Sequence, residues 1–101
     1  MAGRASYSAS KFALDGITST LAAEFVAEGI IANSISPGFI DTELTHKMLG
    51  MEGIQNLVSK VPARRLGSVD EISKFVLWLA SEENTFISGQ NIAIDGGFTR
   101  V

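Results

Sequence analysis

Hydrophobic positions near the start of the chain advance in steps of three and four. Leu14, Ile17, Leu21 and Phe25 recur at this spacing while Asp15 and Ser19 fall elsewhere around the wheel, which predicts an amphipathic helix over residues 5–28. Gly29 suits the left-handed residue that ends such a helix. Ala9, Ala13, Gly16, Ala22 and Ala23 would let another backbone approach closely, so the helix is expected to be buried or to serve an interface. The pattern then changes. Residues 30–36 are short and rich in isoleucine, and they are bounded by Gly29 and by Pro37-Gly38, which reads as a strand ending in a turn. Their apolar positions do not alternate strictly, as expected of a parallel strand covered by helices on both faces. Asn33 and Ser34 interrupt it and are read as polar side chains bonded to neighbouring backbone, in preference to catalytic groups.

Residues 39–62 are less regular. Gly50, Gly53 and Pro62 are expected to break one or two short helices that carry Leu44, Met48, Leu49, Met51, Ile54, Leu57 and Val58. Residues 43–62 fit a mobile lid over an apolar substrate, and equally a packed helical insertion. His46, within it, is read as an exposed polar residue rather than a substrate contact. Ser68-Val69-Asp70-Glu71 has the form of a capping box, so a helix starts there, with Ile72, Phe75, Val76 and Leu79 as its apolar stripe and an end near Ser81. Residues 82–88 turn the chain, residues 90–95 form a second short strand, and Asp95-Gly96-Gly97 closes it. The order is helix, strand, helical connection, helix, strand, with the two strands parallel through a right-handed crossover. Two strands are few for such a sheet, so residues 1–101 are expected to be a single incomplete α/β domain, the edge of something larger.

Composition narrows the partners. With 46% hydrophobic residues the chain can bury a core, and its net charge of −3 supplies no basic footprint for a phosphate backbone, so nucleic acid is an unexpected partner. There is no cysteine and His46 is the sole histidine, which nearly excludes zinc ligation and leaves no metal site among the candidates. The longest apolar run, residues 75–80, is too short for a bilayer and no basic, then apolar leader opens the chain. A soluble, cytoplasmic protein without membrane contacts is the expectation.

The chemistry sits in Tyr7-Ser8-Ala9-Ser10-Lys11, where a phenol and an ammonium four residues apart share one face of a helix. An unperturbed tyrosine, with a pKa of about 10, is a poor proton-transfer group at neutral pH. Lys11 is the cation at hand, and a positive charge beside a phenol is what would suit it to proton transfer. As a pattern alone Y-x-x-x-K is weak, because a solvated helix face explains most occurrences.

A second clue, Pro37-Gly38-Phe39-Ile40-Asp41-Thr42, leaves the carboxyl end of the first strand, where ligands of open α/β sheets bind. With Tyr7 and Lys11 one helix upstream, and Ser88-Gly89-Gln90 through Asp95-Gly96-Gly97 at the close, the sequence resembles the C-terminal part of a short-chain dehydrogenase/reductase over nearly its whole length. In overall style it is similar to bacterial 3-oxoacyl carrier-protein reductases. The resemblance implies a Rossmann-like, doubly wound parallel sheet from which the N-terminal dinucleotide-binding half is missing. It makes Tyr7 the general acid/base for a carbonyl or alcohol substrate and Lys11 the group that tunes it and holds the nicotinamide ribose of NAD or NADP. Pro37, Gly38 and Thr42 match the family's P-G-x-x-x-T, whose turn and hydroxyl would hold the nicotinamide carboxamide and nearby phosphate, and Ile40 would contribute its backbone amide. Subunit pairing through the tyrosine-bearing helix and the last strand is implied as well, giving a homo-oligomer.

The sequence departs from the family in one large respect. No T-G-x-x-x-G-x-G is present, and the family's active-site serine and asparagine would lie before residue 1. Ser6, Ser8 and Ser10 are therefore read as polar groups at a helix start. The expectation is a C-terminal fragment of a reductase, with weak or no binding of NAD or NADP and no activity by itself. A non-catalytic interaction module and a decayed fragment are the alternatives.

Overall fold

The computed structural model describes residues 3–100, Arg100 through its backbone only. It contains α1 (Ala5–Phe25), β1 (Ser34–Pro37), α2 (Glu43–Lys60), α3 (Val69–Leu79) and β2 (Asn91–Ile94), in that order. Short 3-10 turns follow α1 at Val26–Glu28 and β2 at Phe98–Arg100. β1 and β2 form a two-stranded sheet, and their bonds advance together along both strands: Gly89 N donates to Ala32 O, Ser34 N to Gln90 O, and Gly38 N to Ile94 O. The strands are therefore parallel, as the spacing between them requires. The residues gather into two compact units, one of residues 3–35 with 85–92 and the other of residues 36–84 with 93–100.

In the first unit, α1 meets the strands through its small and polar face. Thr18 and Ala22 are buried, and the methyl of Ala22 lies where a Cβ on Gly89 would come within 3.2 Å of it. Asp15 accepts from Ser34 Oγ and from Asn91 Nδ2, both at 3.3 Å, tying the helix to both strands. Of the apolar stripe, Leu14, Ile17 and Leu21 are exposed and Phe25 is half-buried. Its periodicity is right; the face that packs on the strands is the one whose side chains are small enough for close approach.

The predicted helix end holds, with a 3-10 turn over its last residues and Gly29 in the left-handed region. The first strand starts later than expected, at Ser34 rather than residue 30. Ile30 N bonds back to Phe25 O, and Asn33 replaces a stretch of ladder with its own amide, donating to Ile87 O at 2.8 Å and accepting from Gln90 N at 3.0 Å. This bears out the reading of Asn33 as a backbone-bonding side chain.

In the second unit, Val61 and Leu79 are the buried hydrophobic residues among those described, and Phe39 meets Phe98 edge to face at 5.0 Å. α2 is two helical pieces joined at Gly50, whose φ of 66° is open to glycine and strained for other residues. Gly53, expected as a second break, lies inside the later piece. α3 begins with the predicted capping box: Glu71 N donates to Ser68 Oγ at 3.1 Å, and Ser68 N donates to Glu71 Oε1 at 2.9 Å.

Candidate active site

Tyr7 sits in the first turns of α1 with its side chain half in solvent, at 51% exposure. One turn on, Lys11 Nζ is 5.5 Å from the centre of the Tyr7 ring. One turn earlier, the Arg4 guanidinium lies 4.0 Å over the same ring. Two cations thus lie near the phenol ring, each within the range at which a positive charge is drawn to an aromatic face. The sequence reading found Lys11 and missed Arg4, although the i−3 spacing places it on the same helical face. Ser10 Oγ donates to Tyr7 O at 2.7 Å, a bond within the helix start, consistent with its reading as a local polar group.

Pro37, Gly38, Ile40 and Thr42 lie on one continuous turn of the second unit, between the end of β1 and the start of α2. Gly38 is required by a close approach: a Cβ there would stand 2.7 Å from Asp95 Cβ and 2.8 Å from its Cα. Two residues on, Ile40 forms a parallel bridge with Gly67, in which Gly67 N donates to Phe39 O at 2.9 Å and Asp41 N to Gly67 O at 2.8 Å. Within a trans peptide the N–H and C=O point opposite ways. The bridge therefore turns the Ile40 N–H and C=O to the edge away from Gly67.

Thr42 is the N-cap of α2, its hydroxyl accepting from Thr45 N at 3.2 Å. It also lies 2.9 Å from the Thr45 hydroxyl, which itself donates to Ile40 O at 2.8 Å. Thr45 has one proton and spends it on that carbonyl, so Thr42 is the donor of the pair. The residue expected to offer a hydroxyl to the cofactor phosphate holds its proton on Thr45 here. His46 is exposed, with Nε2 2.6 Å from Asp41 Oδ1, in keeping with its reading as an exposed polar residue.

A separate electrostatic lock closes the turn before α3. Arg65 binds Glu71 through two parallel bonds of 2.7 and 2.8 Å. These bonds, and then the donation from Ser68 N, hold the Glu71 carboxyl at about 2, below its ordinary value of 4.5, and Glu71 raises the Arg65 guanidinium in turn. A recess of about 90 Å³ nearby is lined by Phe39, Ile40, Ala63, Gly67, Ile72 and Ile94 among others, and by neither Tyr7, Lys11 nor Thr42. Among the described residues no three His, Asp or Glu side chains gather as a metal set, and no helix is long and apolar enough to cross a membrane.

A family model described as enoyl-(acyl carrier protein) reductase matches residues 1–99. The chain belongs to the short-chain dehydrogenase/reductase family. Members are NAD(P)-dependent oxidoreductases. The chain is 43% identical over 95 residues to the 3-oxoacyl-[acyl-carrier-protein] reductase FabG of Buchnera aphidicola, a match covering 94% of this chain and 38% of that protein. Its structure is similar to that of ElxO with NADP bound, at a TM-score of 0.84 and 34% identity over 94% of this chain and 39% of the other. A putative 2-deoxy-d-gluconate 3-dehydrogenase from Agrobacterium tumefaciens with bound NADP gives 0.84 at 31% identity, covering 95% and 39%. This short-chain dehydrogenase/reductase chain thus spans well under half the length of the relatives it matches. Its parallel strands and packed helices are consistent with the α/β class read from the sequence, and its neighbours are Rossmann-fold proteins of the same family.

Proposed function

We propose that the chain carries the proton-transfer centre of an NAD(P)-dependent reductase that interconverts a carbonyl and an alcohol, with Tyr7 as the acid/base group and Lys11 as its cationic partner. The observation that carries this reading is the Lys11 ammonium 5.5 Å from the ring of a half-exposed Tyr7, in a chain of this family. In reduction the Tyr7 hydroxyl gives its proton to the substrate oxygen, and in oxidation the phenolate takes it back. Lys11 and Arg4 place positive charge beside the phenolate that forms. In this reading Lys11, exposed at the surface, also holds ribose hydroxyls.

NAD or NADP, when bound, supplies or accepts the hydride. Residues of the second unit suit its carboxamide: the Ile40 N–H is turned to an open edge, and Pro37 and Gly38 shape the turn that presents it. Thr42 contributes chiefly as the cap that fixes this turn, since a bond from its hydroxyl to phosphate requires its proton to leave Thr45. Residues 43–62 act as a substrate lid, and exposed Leu44, Met48 and Met51 favour an apolar or acyl substrate. The isolated chain binds NAD or NADP weakly or not at all, because no glycine-rich turn for the pyrophosphate is present in its sequence. A non-catalytic interaction module is the second reading, favoured by Phe12 at 76% exposure on α1.

The test is a chimaera in which this chain replaces the matching stretch of the Buchnera reductase, assayed for NADPH oxidation with a 3-oxoacyl thioester. Turnover is expected in the chimaera and none in the 101-residue chain. A folded chimaera that binds NADPH without turning over favours the interaction module, and micromolar NADPH binding with turnover by the 101-residue chain overturns the fragment reading.

A further inference from the structure

The turn at Ile40 is held from both sides, and two residues outside the P-G-x-x-x-T pattern hold it. Gly67 engages both peptides around Ile40 from one side, taking Phe39 O and Asp41 N. On the other side stand the Ile40 N–H and the Ile40 C=O. The Thr45 hydroxyl occupies that C=O at 2.8 Å, and its own oxygen is satisfied by the Thr42 proton at 2.9 Å. A relay from Thr42 through Thr45 to Ile40 O therefore occupies one lone pair of that carbonyl and fixes its direction, beside the Ile40 N–H that the same edge presents.

We infer that Thr45 and Gly67 are positioning residues that brace the peptides on either side of Ile40 and so hold its N–H toward an acceptor oxygen such as that of a carboxamide. The choice of carboxamide rests on the nicotinamide reading proposed above; the brace itself rests on the hydrogen bonds. Without the Thr45 hydroxyl the peptide between Ile40 and Asp41 is held from the Gly67 side alone. It then swings more freely, and its bare carbonyl competes for donors beside the Ile40 amide. Thr45 was not singled out in the sequence because it has no apolar period and no charge; the signal available was its position three residues after a capping threonine.

The test uses the 101-residue chain, nitrogen-15 labelled, as wild type, Thr45→Val and Thr45→Ser, with amide exchange followed by NMR and oxidised nicotinamide mononucleotide as the probe. Valine keeps the shape and removes the donor; serine restores it. Exchange at Asp41 is expected to be about tenfold faster in Thr45→Val and within about twofold of wild type in Thr45→Ser, with the amides of α3 unchanged in both. The mononucleotide is expected to shift the Ile40 amide resonance in wild type and Thr45→Ser, and to need about tenfold higher concentration in Thr45→Val. Wild-type exchange at Asp41 in Thr45→Val, or exchange in Thr45→Ser as fast as in Thr45→Val, overturns the brace whatever the ligand does. If the exchange pattern holds while the mononucleotide leaves wild-type Ile40 unmoved, the brace stands and the carboxamide assignment fails.

Discussion

Glu71 serves three donors at once: two guanidinium nitrogens of Arg65 and the amide of Ser68. Its folded-state value of about 2 lies below the ordinary 4.5, so the sign follows that of a depressed carboxylate. Above about 4.5 the carboxylate is ionised in both folded and unfolded chains and its contribution is complete. As pH falls below that the unfolded chain takes up the proton first, and the contribution is lost by about pH 2. Thermal unfolding followed across this window should show less pH dependence in Glu71→Gln than in wild type; identical profiles would mean the lock contributes nothing. The Ser68–Glu71 half of the lock was legible because a capping box has a fixed spacing. Arg65 was not, because its approach depends on the path of the turn at residues 61–67, for which the sequence holds no period. Arg4 differs in kind: its three-residue spacing from Tyr7 is readable in the sequence, although it belongs to no motif there.

Among the elements, the two strands show most clearly what periodicity reports and what it omits. Existence, order and parallel direction followed from short isoleucine-rich runs separated by more than a hairpin's length. The start of β1 did not, because Asn33 stands in for backbone and postpones the ladder to Ser34. Replacing Asn33 by Ala should cost about 1–3 kcal/mol, since Ile87 O and Gln90 N lose their partner together, and denaturant unfolding would show it. At the far end of the strands Gly38→Ala must push the turn away from Asp95, by about 1–3 kcal/mol of destabilisation in the same assay. A neutral Gly38→Ala would mean that the approach relaxes at no expense. On α1 the three- and four-residue steps identified which side chains share a face. They could not say that the face with Thr18 and Ala22, rather than Leu14 and Ile17, packs on the strands, because that choice depends on how closely the chain approaches at Gly89, just before β2.

For the whole molecule, Phe12, Ile17 and Leu21 on α1 and Leu44, Met48 and Met51 on α2 remain exposed, while Ala22, Val61 and Leu79 are the buried hydrophobic residues among those described. Apolar surface of this extent associates. We propose a homo-oligomer that uses the tyrosine-bearing helix, and sedimentation at micromolar concentration should find a dimer or larger species; a compact monomer would count against it. The family was legible because its landmarks recur in order along a single chain, and the proposed proton-transfer couple, Tyr7 and Lys11, was legible because both residues lie on one helix. The most direct measurement of the central claim is therefore NADPH oxidation by the Buchnera chimaera with Tyr7→Phe, which removes one hydroxyl and leaves the ring near its two cations. The account predicts a fall in kcat/KM of about 10²- to 10⁴-fold with NADPH affinity kept; turnover equal to that of the unmodified chimaera would contradict it.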